Sequence, residues 1–124
     1  MIGTFPVCTV STRVLFNTGA THSFVSPYFV MQFVGQPTCL ENPLCVSTPL
    51  DTSVEISTIY LSCGFLIGQR ELLATLYVMD MLDFDVIPGM DWMSEHYATI
   101  DCRSKTVTFR LSKSEKLFSE ETVW

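Results

Sequence analysis

The residues most suited to chemistry lie in a short polar turn, Asn17-Thr18-Gly19, which follows an apolar run ending at Phe16. Asn and Gly both favour turns, and Gly19 can adopt backbone angles that strain other residues. On residue types alone, the segment is an ordinary turn at the end of a strand. The amide of Asn17 offers hydrogen bonds, but it cannot act as a base near neutral pH.

The other acids and histidines do not indicate a second candidate site. Asp91 is expected to cap a short helix that begins beside it and to pair with nearby donors. Asp83 and Asp85 lie two residues apart on one predicted strand face, and they are interpreted as surface acids that form no catalytic pair. His22 and His96 are interpreted as hydrogen-bonded framework residues, because no set of residues with metal-ligand spacing accompanies them.

Nucleophilic side chains do not indicate another mechanism either. His22 and Ser23 are adjacent, a spacing that does not suit a serine nucleophile and its base, and no orienting acid is evident. The chain has an odd number of cysteines, without a C-x-x-C pair: Cys8, Cys39, Cys45, Cys63 and Cys102. We therefore expect reduced thiols, no metal, no cofactor and no disulfide scaffold.

Length and composition fit one folded domain. The chain has 124 residues, of which 48% are hydrophobic and 16% charged, and this balance favours a packed core over disorder. The formal net charge of −6 argues against nucleic acid as the main partner. No apolar run approaches the roughly 20 residues that span a bilayer, and the first residues lack a signal-peptide pattern. We therefore expect a cytoplasmic protein that binds neither nucleic acid nor membrane.

Turn signals divide the chain into many short strands and one or two helices. Strands are predicted at 5–10, 12–16, 61–67, 72–79, 98–102 and 106–110, and a polar turn at 49–52 joins the arms of a hairpin at 46–60. Ser26 followed by Pro27 predicts the start of a helix that runs from residue 27 to about 34 and is capped by Gly35. A shorter helix is predicted at 91–96. The segment 35–43 is predicted to be a loop, and 112–124 a frayed tail. These elements predict an all-β fold that closes into a barrel.

Four sequence blocks resemble a known family. They are VLFNTGATHSFVSP (14–27), VSTPL (46–50), LDFDVIPGMDWM (82–93) and TIDCRSKTVTF (99–109). In this order and spacing they resemble the retropepsin-like protease domain of plant gypsy-type long-terminal-repeat retrotransposon polyproteins. The resemblance covers nearly the whole chain and implies a protease domain at residues 3–111. Members of that family are aspartic endopeptidases that cut the Gag-Pol polyprotein. In the family, this cleavage takes place within a virus-like particle.

The resemblance also implies a site and an assembly. Family members resemble half of a pepsin-like enzyme and work as homodimers, with the active site on the two-fold axis. Each subunit contributes an Asp-[Thr/Ser]-Gly loop, which here is Asn17-Thr18-Gly19. An extended peptide or polyprotein substrate would bind beside Ala20 and beneath a hairpin flap within 47–58. The flap residues implied in substrate binding are Ser47, Thr48, Pro49, Leu50 and Asp51.

Two residues depart from the family pattern. Asn17 stands where the family has Asp, so a homodimer would pair two amides instead of two carboxylates that share a proton. We therefore expect this chain to be catalytically impaired or inactive. Pro88 stands where the family usually has Leu, and it removes a backbone donor from a segment expected to pair with strands. Together the two departures favour a decayed or domesticated copy over an engineered substitution.

Other functions stay open at the level of the sequence. The main alternative is a non-catalytic module, derived from the protease, that binds peptides or only dimerises. A mixed dimer with an Asp-bearing copy is a weaker alternative, because one carboxylate cannot play both catalytic roles at once.

Overall fold

The computed structural model describes residues 2–8, 10–32, 36–47, 53–67, 70–81, 84–101, 103–104, 106–110 and 116–121. Within these residues the strands are β1 (Ile2–Val7), β2 (Val10–Leu15), β3 (Phe24–Val25), β4 (Pro37–Ser47), β5 (Ser53–Ile67), β6 (Arg70–Val78), β7 (Val86–Ile87), β8 (Thr99–Asp101), β9 (Thr106–Arg110) and β10 (Lys116–Glu121). The helices are α1 (Pro27–Val30) and α2 (Met90–Glu95). The all-β class with two short helices is confirmed. In the described part of the chain, neither helix is long and apolar enough to cross a membrane.

The larger sheet closes on itself. Its strand order is β1-β2-β7-β3-β6-β5-β4, and β1 pairs a second time, with β5, at Val7 and Phe65. This pairing joins the two ends of the series β1-β2-β7-β3-β6-β5, so these strands form a ring and β4 lies on the other edge of β5. The predicted closure is therefore present as a ring of paired strands. A smaller sheet has the order β10-β9-β8.

The hydrophobic core is centred on Trp92 of α2. Its side chain is 2% exposed, and its ring centroid lies 4.8 Å from that of Phe65, 5.4 Å from that of Phe109 and 6.2 Å from that of Phe16. These partners come from β5, from β9 and from the residue that follows β2. Because large aromatic side chains bury much apolar area, this cluster joins α2 and the smaller sheet to the ring.

The structure confirms the hairpin predicted at 46–60, with a difference in β5, and it pairs the strands predicted at 98–102 and 106–110 with each other. β4 and β5 pair up to Ser47 and Ser53, and β8 and β9 pair through Ile100 and Val107. The predicted turn at 49–52 lies outside the described residues. Instead of ending near residue 60, β5 continues through a register shift, where Ser62 has a positive φ of 55°. Such a bulge bends a strand, so β5 serves both the hairpin and the ring.

Two predictions between β3 and β5 are wrong. The first helix begins as expected, with the Ser26 hydroxyl accepting from Tyr28 N at 3.2 Å, but it ends at Val30. The helix buries only Phe29, and Met31, the residue after it, is 84% exposed, so little apolar burial favours its continuation at that point. The predicted cap, Gly35, lies outside the described residues.

The second wrong prediction is the loop at 35–43, most of which belongs to β4. Pro37 is the first residue of that strand, and Pro43 lies where the register against β5 shifts, between Cys39 and Leu44. Proline is tolerated at the start of a strand and at a register shift, because neither position needs a backbone N–H that donates to a neighbouring strand. The proline-based loop signal was therefore misleading.

The expected frayed tail at 112–124 is also corrected in part. Residues Lys116–Glu121 form β10, which pairs with β9 from Phe118 opposite Phe109 to Glu121 opposite Thr106. An open strand edge leaves backbone N–H and C=O groups unpaired. β10 pairs with these groups on the edge of β9 that faces away from β8.

Candidate active site

The Asn17-Thr18-Gly19 turn is held between two strands that share a neighbour. It follows β2, which pairs in parallel with β7 at Val14 and Val86. It leads to β3, whose Phe24 pairs with Ile87 of β7 in antiparallel fashion. All three residues of the turn are exposed. The loop is therefore anchored at both ends on one short strand while its tip faces solvent.

The side chain of Asn17 stabilises the turn by a hydrogen bond within it. Its Oδ1 accepts a hydrogen bond from Gly19 N at 2.9 Å, and its main-chain oxygen accepts one from Ala20 N at 3.2 Å. A Cβ atom at position 19 would lie 3.2 Å from Asn17 Oδ1, so glycine fits closely against the amide. A carboxylate has nearly the same shape and accepts the same hydrogen bond. Asn17 thus keeps the local geometry that an aspartate would have, without its charge.

A second segment, Pro88-Gly89-Met90, supports the loop through main-chain hydrogen bonds. Asn17 N donates to Pro88 O at 3.1 Å, and Met90 N donates to Ala20 O at 2.8 Å. A Cβ atom at Gly89 would overlap the main-chain oxygens of Ala20 and His22, so this close approach requires glycine. Proline differs from other residues in its missing N–H and its fixed φ, and the contact here uses its carbonyl oxygen. Pro88 is therefore compatible with the support that the loop receives.

A buried serine connects the loop to α2. Ser23 is fully buried, and its hydroxyl donates to Asp91 Oδ1 at 2.7 Å and accepts from Gly89 N at 2.9 Å. The same carboxylate oxygen accepts from Trp92 N at 2.7 Å. Asp91 pairs with nearby donors, as predicted, but the N-cap position of α2 is Gly89. Sequence reasoning considered Ser23 only as a nucleophile and missed this structural role, because nothing local links a serine to an acid so distant in the chain.

The remaining acids and histidines are also placed by the structure. His22 Nδ1 lies 3.0 Å from Thr21 Oγ1, and His96 Nε2 lies 3.0 Å from Leu73 O, so both are hydrogen-bonded, as expected. Asp85 is half-buried and not simply a surface acid, because its Oδ2 accepts from Arg13 N at 3.0 Å. Asp83 lies outside the described residues.

A cavity of about 430 Å³ opens beside the turn. It is lined by Asn17, Gly19, Ala20, Thr21, His22, Phe24, Cys45, Val46, Met79 and Ile87. The structure therefore brings three of the predicted site residues, Asn17, Gly19 and Ala20, together with β4. Thr18 is exposed at the same turn but is not part of the lining.

The predicted flap residues are only partly placed. Ser47 is the last residue of β4 and pairs with Ser53, while Thr48, Pro49, Leu50 and Asp51 lie outside the described residues. Sequence reasoning missed the apolar part of the lining, of which Val46 and Met79 are examples. These residues carry no local signal of function, because an apolar strand residue that faces a cavity resembles one that faces the core.

Comparisons with known proteins agree with this architecture. The retroviral aspartyl protease family model matches residues 1–115. The retroviral protease-like domain of Ddi1 from Leishmania major has a similar structure, with a TM-score of 0.64 and 14% identity over 94% of this chain and 93% of that chain. The EIAV protease complexed with the inhibitor HBY-793 has a TM-score of 0.63 and 14% identity over 82% of this chain and 91% of that chain. No curated protein matches the sequence significantly.

The two kinds of likeness carry different weight. At 14% identity, the similarity to the solved structures shows a shared retropepsin-like fold and nothing finer. The family model, in contrast, spans nearly the whole sequence, including the Asn17 turn and the segment that supports it. On that ground, the chain belongs to the retroviral aspartyl protease family.

Proposed function

We propose that this chain is a retrotransposon-derived aspartic endopeptidase domain whose cleavage activity is impaired or lost because Asn17 replaces the catalytic aspartate. The observation that carries the proposal is the Asn17 amide itself, exposed beside the cavity and hydrogen-bonded to Gly19 N at 2.9 Å. The turn contains the hydrogen bond from Gly19 N that a carboxylate at position 17 would also accept, and it lacks the carboxylate. The four blocks of the sequence support an origin in a plant gypsy-type element, whose polyprotein is processed within a cytoplasmic virus-like particle.

The expected loss follows from the proton transfers of peptide hydrolysis. Two carboxylates about 3 Å apart share one proton in aspartic proteases. The charged carboxylate takes a proton from the attacking water, and the protonated one donates to the carbonyl oxygen of the substrate. The Asn17 amide can accept and donate hydrogen bonds, but near neutral pH it neither takes up nor releases a proton. A pair of such amides can orient a water molecule without activating it.

Homodimerisation is part of the proposal. One chain supplies one Asn17-Thr18-Gly19 turn, so a paired site needs a second copy. The exposure of all three turn residues leaves them available for such a contact, and Thr18 is suited to a hydrogen bond across the two-fold axis. An extended peptide would then lie against the β4–β5 hairpin as an added strand.

The test is direct. The purified chain is incubated with Gag-derived peptides and with a general peptide library, from acid to neutral pH, and products are identified by mass spectrometry. Sedimentation of the same sample measures the oligomeric state. We expect a folded dimer without cleavage products. Efficient cleavage that pepstatin-like inhibitors block would contradict the assigned role of Asn17, and a strictly monomeric chain would contradict the paired site.

A non-catalytic peptide-binding module is the second candidate function. The cavity favours it, because about 430 Å³ of space persists beside a turn that has lost its carboxylate. Calorimetric titration with an extended peptide tests this candidate, with Val46→Asp as the variant that places a charge in the lining. Binding that this variant abolishes supports the module, while a dimer that binds no peptide leaves dimerisation as the remaining role.

A further inference from the structure

Two cysteines meet where the ring of strands closes. Cys8 directly follows β1, and its N–H donates to Gly64 O of β5 at 2.9 Å. Cys63 precedes that glycine in β5. Cys63 is 3% exposed and belongs to the core, whereas Cys8 is half-buried and packs against the same core. The two residues are therefore neighbours across the pairing that completes the ring.

The two thiols interact with each other. Burial, followed by the electrostatic effect of Cys8 and a hydrogen bond with its side chain, raises the pKa of Cys63 to about 12. Both thiols are free in this structure. Because Val7 pairs with Phe65, Cys8 lies opposite Gly64 and diagonally across from Cys63. Adjacent strands lie about 4.8 Å apart and one residue along a strand adds about 3.4 Å, which gives a diagonal separation of roughly 6 Å. Disulfides typically join Cα atoms about 4.4–6.8 Å apart, so this diagonal pair lies within the range of a covalent link.

The conformation of Cys8 is unusual. Its φ is 49°, in the left-handed region that few residues other than glycine adopt. The hydrogen bond to Gly64 O holds the residue in this conformation at the end of β1, beside Cys63. The residue with this conformation lies directly after Val7, the last residue of β1.

The exposed cysteines have a different setting. Cys39 and Cys45 both lie in β4, where their cross-strand partners in β5 are Thr58 and Glu55. Neither residue has a thiol opposite it in β5. Cys39 and Cys45 therefore serve as control positions, since each thiol is exposed to an oxidant but has no cysteine as its cross-strand partner. Cys102 lies outside the described residues.

We propose that Cys8 and Cys63 form a redox-sensitive thiol pair, which a peroxide oxidises to a disulfide that links β1 to β5. In the first step the Cys8 sulfur attacks the peroxide, so an S–O bond forms, the O–O bond breaks and one water leaves. In the second step the Cys63 sulfur, which burial keeps protonated, attacks the sulfenic sulfur: the S–S bond forms, the S–O bond breaks, and the Cys63 proton leaves with the displaced hydroxyl as a second water. Two thiols lose two electrons and two protons, and the peroxide is reduced to water. A thiol reductant reverses the link by exchange.

The consequence is a covalent closure of the ring. The link would connect residues 8 and 63 and remove conformational freedom from the unfolded chain between them. β1 leads directly into β2, which carries the Asn17 turn, and β5 carries one arm of the hairpin. Oxidation would therefore stabilise the framework on both sides of the cavity. The inference concerns the fold and does not depend on the proposed function.

The test uses hydrogen peroxide on the purified, fully reduced chain. Non-reducing peptide mapping identifies the cross-link, and thermal unfolding is compared before and after oxidation. We expect a cross-link between Cys8 and Cys63, with a rise in Tm of roughly 10 °C that a thiol reductant reverses. Cys39→Ser and Cys45→Ser are expected to keep both effects, and Cys8→Ser to lose both.

Peptide mapping of the oxidised, unmodified chain identifies the cross-linked cysteines without any substitution in the core. A cross-link chiefly between other cysteines would overturn the proposal. So would conversion of Cys8 to a sulfinic acid without a cross-link, or a Cys8–Cys63 disulfide that leaves Tm unchanged or lower.

Discussion

The hydroxyl of Ser23 lies 2.7 Å from the carboxylate of Asp91, and this contact joins the Asn17 loop to helix α2. The two residues are 68 positions apart in the sequence. The same hydroxyl accepts from Gly89 N at 2.9 Å, and the same carboxylate accepts from Trp92 N at 2.7 Å. The loop, its supporting segment and the central core residue are therefore connected by three hydrogen bonds that pass through two side chains.

Removal of the Ser23 hydroxyl is expected to destabilise the fold. Ser23→Ala leaves Gly89 N without its buried acceptor and removes one donor from Asp91, which costs about 1–3 kcal/mol for an unsatisfied buried group. Urea unfolding at neutral pH measures this loss. Ser94→Ala, at an exposed serine of α2, is the matched control and should change stability by less than about 0.5 kcal/mol. Equal effects of the two substitutions would contradict the connecting role of Ser23.

Gly89 is expected to be far less replaceable than Gly19. A Cβ atom at Gly89 would overlap main-chain oxygens of Ala20 and His22, so the backbone itself must shift. At Gly19 the nearest atom is the Asn17 side chain at 3.2 Å, which can move. Gly89→Ala should cost about 3 kcal/mol of unfolding free energy, and Gly19→Ala clearly less. A reversed order in denaturant titrations would contradict the observed packing of these two segments.

The Asn17 turn should tolerate a carboxylate but not an alkyl group. Asn17→Asp keeps an oxygen that accepts from Gly19 N and should change stability by less than about 0.5 kcal/mol. Asn17→Ala removes that acceptor and should cost about 1 kcal/mol, since the turn loses a hydrogen bond between side chain and backbone. Thermal unfolding of the three proteins side by side distinguishes these effects. An Asp variant less stable than the Ala variant would show that the turn requires the amide itself.

The buried thiol of Cys63 should make stability fall at alkaline pH. Its pKa is raised from 9.0 to about 12, so the folded protein retains the proton longer than the unfolded chain does. The protonated Cys63 thiol therefore contributes to the free energy of unfolding in full below pH 9, and this contribution is lost progressively as the pH rises toward 12. Urea unfolding at pH 8 and pH 10 is therefore expected to show a smaller drop for Cys63→Ala than for the unmodified chain. Cys39→Ala, at an exposed thiol, should keep the full drop.

Much of the fold could be predicted because it depends on local patterns. Alternating apolar residues and turn signals identified most strands, and Ser26 followed by Pro27 marked the start of α1. The errors arose where tertiary pairing overrode local signals. β5 accommodates the prolines of β4 at the strand start and at a register shift, and β9 provides an edge for Lys116–Glu121.

The candidate site was predictable to a different degree. The turn at Asn17 was found because its residues are contiguous and resemble a known motif. The Ser23–Asp91 contact and the lining residue Met79 were not found, because they depend on contacts between segments far apart in the sequence. Such contacts leave no pattern within either segment.

The role of Asn17 is tested most directly by the cleavage activity of Asn17→Asp, measured beside that of the unmodified chain. Both proteins are assayed at equal dimer concentration, on the same peptides and from acid to neutral pH. We expect that only the Asp variant cuts, with an acidic optimum that reflects a shared proton and with inhibition by pepstatin-like compounds. Cleavage by the unmodified chain at a comparable rate, or a folded and dimeric Asp variant that cuts nothing, would contradict the claim that position 17 alone silences this site.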